Sequence, residues 1–232
     1  YQLMKSNISN DKISVAGNPR YDRILNNLNN VEYKLDSSRQ EEGHILIFAS
    51  MWDADNKIIF EKFINSPLVN HFEKVIIVPH EVTDYHLNYY CSAMENNDLF
   101  FKKINQYQNC NQLEEKYVIV NKVGFLSKLY AQSTIAYVGG GFSKSGIHNI
   151  IEPAAASNPV IFGSNFLNSN KSDAEGLIDV SGGFCVDSYK LFNEKINWIL
   201  DKNNYNNSSK NCKSFVTENS GSTEKILKGL YE

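Results

Sequence analysis

Arginine occurs only three times in this 232-residue chain, at Arg20, Arg23 and Arg39. Any anion site beyond Arg39 must therefore be built from backbone N–H groups, lysine or histidine. Basic tracts are missing too. With a formal net charge of −3 and a pI near 6.0, the chain has no basic face to displace phosphate counterions, which excludes a sequence-independent nucleic-acid binder. The four cysteines, Cys91, Cys110, Cys185 and Cys212, form no C-x-x-C pair. That spacing excludes zinc ribbons and thioredoxin-like redox sites and fits a reduced, cytoplasmic setting. The longest apolar stretch, His44 to Trp52, is about half of the roughly twenty residues a bilayer span needs. Neither a membrane span nor a signal peptide is expected. The first residue is Tyr1 rather than Met, so the chain reads as a piece of something longer.

What is present makes a globular protein: 42% of the residues are hydrophobic and 21% charged, enough for a real core. Asparagine is abundant, clustered in loop-like runs such as NNLNN and NNYNNSS, and reads as codon bias rather than chemistry. Short β-branched runs at 44–49, 74–79, 117–121, 134–140 and 158–163 read as buried strands, with weaker candidates at 98–103 and 182–186. Between them, 53–65 and 123–133 carry their apolar residues on one helical face. Strands that are apolar throughout and joined by helix-length connections predict an α/β fold, a Rossmann-like doubly wound parallel sheet. The expected organisation is a connector over 1–40, the sheet domain over 41–201, and a loop followed by a closing helix over 202–232.

In such a sheet, ligands bind beyond the carboxyl ends of the strands, and several turns there are chemically loaded. GGGFSKSGIHNIIEP, residues 139–153, is the richest. Gly139, Gly140 and Gly141 are expected to aim successive N–H groups into one concavity. A helix is expected to start near His148 or Asn149, with Pro153 in its first turn and Asn149 and Glu152 spaced as a reciprocal cap. A glycine loop feeding a helix N-terminus is an anion site. It is neither of two familiar phosphate motifs: G-x-G-x-x-G fails at Lys144, and a Walker loop fails at Ile147 and His148 after Gly146. Lys144, Ser145, His148, Asn149 and Glu152 all converge on this turn. His148 is a candidate phosphate or carboxylate partner able to carry charge near neutral pH, and Glu152 a candidate acceptor for ribose hydroxyls. Ser50 and Trp52 follow the first strand, ahead of Asp53 and Asp55, whose charges suit a helix start. His80 and Glu81 follow the second strand.

GNPRYDR near the start, ASMWDAD, PHE, the run from VGFLSKLY to NPVIFG, and ENSGSTEKIL near the end together resemble the C-terminal half of bacterial 3-deoxy-D-manno-octulosonic acid (Kdo) transferases. The similarity runs over nearly the whole chain, and the G-G-G-F…G-x-H-N-x-x-E block is its most specific part. The resemblance implies one half of a GT-B glycosyltransferase, which binds the donor CMP-Kdo. It further implies a separate N-terminal domain that holds the lipid A precursor and the catalytic base, metal-independent transfer with inversion, and no cofactor. Attachment to the cytoplasmic face of the inner membrane would come through the full-length protein. Gly139, Gly140, Gly141 and Phe142 would lie beside the donor phosphate, and His148 and Asn149 would face it at the helix start. Glu152 would hold the ribose, while Ser50 and Trp52 would line the cleft. Many family members carry Pro-Arg-His after the second strand, where this chain has Pro79, His80 and Glu81, in keeping with its scarce arginine. The residues also leave open a UDP-sugar transferase or epimerase of the same architecture, a non-catalytic nucleotide-binding module, and an interaction domain whose glycines only turn the chain.

Overall fold

A computed structural model describes residues 13–32, 43–167 and 169–231. Seven strands build its centre: β1 His44–Met51, β2 Phe72–Pro79, β3 Phe101–Ile104, β4 Tyr117–Val120, β5 Ile135–Val138, β6 Val160–Gly163 and β7 Gly183–Val186. Every pairing is parallel, and the order is β3-β4-β2-β1-β5-β6-β7. This is the expected doubly wound sheet, and both weaker candidate strands belong to it.

The reason lies in how β1 alternates. Leu46 and Phe48 face a core shared with Phe60, Phe63, Tyr90 and Phe192. Ile45, Ile47 and Ala49 face a second one with Ile76, Val118 and Leu129. Both faces exclude water, so no polar side of the strand is needed. A third cluster extends the second layer over β5 and β6, around Val138, Val160, Phe162, Ile151 and Val216.

The covering elements are α1 Arg20–Asn29, α2 Asp53–Asp55, a π turn Asn56–Phe60, α3 Glu61–Ile64, α4 Asp84–Glu95, α5 Leu126–Tyr130, α6 Ile151–Ala155, α7 Lys171–Asp179, α8 Tyr189–Ile199, α9 Lys202–Glu218 and α10 Ser222–Tyr231. Among the described residues no helix is long and apolar enough to cross a membrane.

Two expectations are corrected. The segment after Lys202 is helical from its first residue rather than a loop: Asp201 caps the amides of Asn203 and Asn204 at 3.0 Å, and Tyr205, Ser208, Cys212 and Val216 form its buried stripe. Packing of that stripe overrides the poor helix propensity of asparagine. Part of the expected connector packs against the domain. Its residues 1–12 and 33–40, with Arg39, lie outside the described residues, but α1 packs on the domain. There Tyr21 donates to Asp173 at 2.8 Å, Arg20 pairs with the same carboxylate, and Asp22 accepts from Thr223 N at 2.8 Å at the start of α10. Nor is asparagine chemically idle. Asn30, Asn65, Asn97 and Asn219 each donate to the carbonyl four residues earlier, satisfying carbonyls that helix ends leave open.

Phe48 is fully buried and meets Phe60, Phe63 and Tyr137 at ring separations of 5.6, 5.1 and 5.7 Å. Phe48→Ala is expected to cost about 3–5 kcal/mol, read as a lower midpoint in chemical denaturation with native-like far-UV dichroism beforehand.

Candidate functional site

The strand order decides which turns meet. β1 lies between β2 and β5, and Ala49 is level with Val78 on one side and Val138 on the other. From β1 the chain winds outward in one direction to β2 and β4, and from β5 in the other to β6 and β7. The turns after β2, β1 and β5 therefore share one rim at the switch in winding, where an open α/β sheet leaves its crevice.

On that rim three rings gather, with both imidazoles stacked against Trp52. Trp52 stacks on His80 at 4.0 Å and 16°. His148 lies 4.4 Å from His80, and its Nε2 accepts a 2.8 Å bond from the indole Nε1 of Trp52. An indole N–H only donates, so Nε2 of His148 is the bare nitrogen and Nδ1 carries the hydrogen. The stack borders a cleft of about 330 Å³ that also touches Asp53, Glu81, His86 and Ser143. Glu81 is exposed at its mouth. His86 accepts from or donates to Thr83 Oγ1 at 2.8 Å through Nδ1, while its Nε2 lies 3.9 Å from Asp53.

Burial pushes both His80 and His148 below the ordinary imidazole value of 6.5. The nearby His80 lowers His148 further, whereas Glu81 raises His80 and His86 lowers it. Without a bound anion His80 and His148 are therefore neutral hydrogen-bonding groups at neutral pH, which corrects the expectation of ready charge on His148.

The glycine loop is also held differently from the expectation. The amide of Gly139 donates to Ala49 O at 2.8 Å and that of Gly140 to Asp55 Oδ2 at 2.8 Å, so these two N–H groups are consumed inside the fold and do not face a concavity. The glycines are required by close backbone contact. A Cβ on Gly139 would come within 2.3 Å of Ser50 O, and one on Gly141 within 2.5 Å of the Gly163 backbone. Phe142 turns toward the Phe48 core, while Lys144 is exposed. Gly146 closes the turn by donating to Ser143 O at 3.3 Å. Ser50, at a bulge with φ 53°, is 9% exposed and shapes the turn through its backbone rather than lining the cleft.

The helix expected at His148 or Asn149 begins at Ile151. Asn149 Oδ1 accepts from Ile151 N at 3.1 Å, and its amide donates to Glu152 Oε1 at 2.9 Å. The two side chains thus bond each other instead of forming the reciprocal cap. Glu152 borders a small separate hollow of about 10 Å³ with Ile24, Asn27, Leu28 and Ser127, covered by α1. Burial raises its carboxyl above the ordinary value, against the bond from Asn149 and the charges of Arg23 and Arg20.

Of the expected site residues, then, Trp52, His80 and Glu81 line the cleft, His148 joins them through its contacts with Trp52 and His80, Asn149 adjoins it in sequence, and Glu152 lies in its own hollow. Sequence reasoning passed over four others: Asp55, Tyr137, His86 and Ser143. Asp55 is completely buried. Its carboxylate accepts from Gly140 N, from Tyr137 OH at 2.6 Å and from Trp52 N at 3.2 Å. Its position in a helix-start pattern concealed this, whereas the closely spaced carboxylates of DAD and the polar PHEVTDYH turn were visible signals.

No protein-family model matches the chain. It is 27% identical to the 3-deoxy-D-manno-octulosonic acid transferase of Chlamydia trachomatis over 239 aligned residues, 98% of this chain and 52% of that protein. The likeness to Kdo transferases runs over nearly the whole chain. A bifunctional glycosyltransferase/methyltransferase of Fusobacterium nucleatum is 28% identical over 90% of this chain and 32% of its own length. The chain thus spans about half, or less, of these curated relatives. The crystal structure of the C-terminal CMP-Kdo binding domain of WaaA from Acinetobacter baumannii superposes with a TM-score of 0.62, covering 85% of this chain and 98% of that domain at 16% identity. At that identity the likeness is one of fold, the doubly wound parallel sheet described above. The resemblance to Kdo transferases read from the motifs is borne out.

The lowered imidazoles carry a sign for stability. The unfolded chain takes up these protons first as pH falls below about 6.5, while the folded cleft resists them, so stability is full above that value and declines below it. Thermal midpoints are expected to fall between about pH 7.5 and about pH 5, and His148→Gln is expected to reduce that fall. An unaltered pH slope in the variant would remove His148 as a contributor.

Proposed function

We propose that this chain is the donor-binding domain of a glycosyltransferase that moves Kdo from CMP-Kdo to a lipid A precursor in lipopolysaccharide core biosynthesis. The observation that carries the reading is the Trp52, His80 and His148 stack at the switch in winding, in a chain whose likeness to a Kdo transferase covers 98% of its length. The acceptor and the catalytic base are assigned to an N-terminal domain, through which the full-length protein reaches the inner membrane. No metal or cofactor is invoked.

The chain's own residues serve the leaving group. When the glycosidic bond to CMP breaks, negative charge grows on the phosphate, and donors already fixed around it stabilise that charge without reorganising. His148 offers its Nδ1–H, held in place by Trp52. His80 lies beside it, where many family members carry arginine. A phosphate brought against these rings raises their proton affinity, so they become charged donors when the anion is present. Glu152, in its own hollow beneath α1, is assigned to the ribose hydroxyls.

In calorimetry the chain is expected to bind CMP, more tightly than UDP and more tightly as pH falls through the imidazole range, without transferring sugar by itself. Preference for UDP would favour a UDP-sugar enzyme, and no nucleotide binding by the folded chain would sink the donor reading. Glu152→Ala is expected to weaken CMP about tenfold, the loss of one good hydrogen bond of about 1.4 kcal/mol, with an intact thermal transition. Unchanged affinity would return Glu152 to bracing Asn149.

A further inference from the structure

The rim of the cleft belongs to two segments that are far apart in sequence, the turn after β1 and the loop after β5. One buried side chain bonds to both. The carboxylate of Asp55 takes Trp52 N from the first turn with Oδ2 and Gly140 N from the second with the same oxygen, at 3.2 and 2.8 Å. Its Oδ1 is fixed at 2.6 Å by the hydroxyl of Tyr137, on β5 directly before the loop. All three partners donate, which is the pattern an ionised, acceptor-only carboxylate satisfies.

The consequence runs outward. With its backbone fixed, Trp52 projects its indole across the cleft, stacks on His80 and donates Nε1–H to His148. His148 is fixed from its own side as well. Its amide donates to Gly139 O at 3.2 Å, and its carbonyl accepts from Asn170 Nδ2 at 3.1 Å. The indole bond therefore requires the β1 turn and the Gly139–His148 loop to keep one relative placement, and Asp55 is the group that bonds both.

We propose that Asp55 is a positioning residue for the donor cleft: by joining the β1 turn to the glycine loop it places Trp52 against His148 and so fixes which imidazole nitrogen carries the hydrogen offered to an anion. The donor role of the cleft rests on the function proposed above; the placement of His148 does not. Asp55 touches no ligand in this scheme and acts only through Trp52 and Gly140.

The titration of His148 is set by burial and by the neighbouring His80, while Asp53, Glu81 and His86 line the adjoining cleft. These remain in each variant used as a test.

The test is nitrogen NMR of the imidazoles in the whole chain, with CMP calorimetry alongside. In the wild type, His148 is expected as the Nδ1–H tautomer with Nε2 accepting, titrating below the ordinary range. Asp55→Ala is expected to release this, giving mixed tautomers, a titration midpoint shifted upward toward the ordinary value, and CMP affinity lower by about tenfold or more. Asp55→Asn is expected to rescue, because its Oδ1 can accept both amides while its Nδ2 donates to the Tyr137 oxygen; affinity should stay within about threefold of wild type. A role confined to general stability would lower the melting temperature and leave the His148 tautomer alone. If Asp55→Ala does not fold, Asp55→Ser supplies the same readout, since a hydroxyl too short to reach both turns still occupies part of the space. A folded Ala or Ser variant with the wild-type His148 tautomer and midpoint overturns the proposal. Wild-type chain that fails to bind CMP overturns the donor reading, while the NMR comparison still decides the placement of His148.

Discussion

A carboxylate removed from water is costly unless its oxygens are fully engaged, and the rim of this domain is organised around one that is. Asp55 takes donors from the turn after β1, from the end of β5 and from the loop that follows. Because those donors come from separate segments, their positions are correlated: displacing any one strips a bond from a group that cannot turn to solvent. The aromatic stack, the tautomer of His148 and the path of the glycine loop are all downstream of that constraint. The π turn immediately after Asp55 sits in the same region, where Asn56 is buried and accepts from Tyr90 OH at 2.8 Å.

The ring stack that results carries no charge at rest, although Asp53 and Glu81 line the cleft beside it. Arginine would supply permanent charge to an anion site, but two of the three in this chain lie on α1, where Arg20 is committed to Asp173. Imidazoles in a half-buried stack instead gain charge only when an anion compensates it. Such a site discriminates by coupling protonation to binding, and it avoids the cost of holding uncompensated cations beside one another in the empty state.

How much of this could be read beforehand follows the range of the interactions. The strands were legible because runs such as Val75–Val78 and Tyr117–Val120 are apolar on both faces, a local signal that only a covered parallel sheet explains. The turns after strands were legible as places for chemistry, and Trp52, His80 and His148 were found there. Their contact was not, since it depends on β1 lying between β2 and β5, a non-local fact. Helix α9 was misread because its asparagines argue for a loop locally, while Tyr205, Cys212 and Val216 are rewarded only by packing. Asp55 was read only in part for a related reason: an acid at a helix start, where it does lie, already has a sufficient local explanation, and its other partners lie up to 85 residues away.

Where the glycine loop passes β6, Gly141 and Gly163 press backbone against backbone, each occupying the space a Cβ on the other side would need. Neither residue has a side chain left to shorten. A substitution at one position therefore has no compensating partner at the other, and the usual route by which cores drift, one residue growing while its neighbour shrinks, is closed at this crossing. Sequence change around the loop must pass through its polar tip, at Ser143, Lys144 and Ser145, which makes the tip the place where related proteins can vary the chemistry facing the cleft while the chain beneath it stays put.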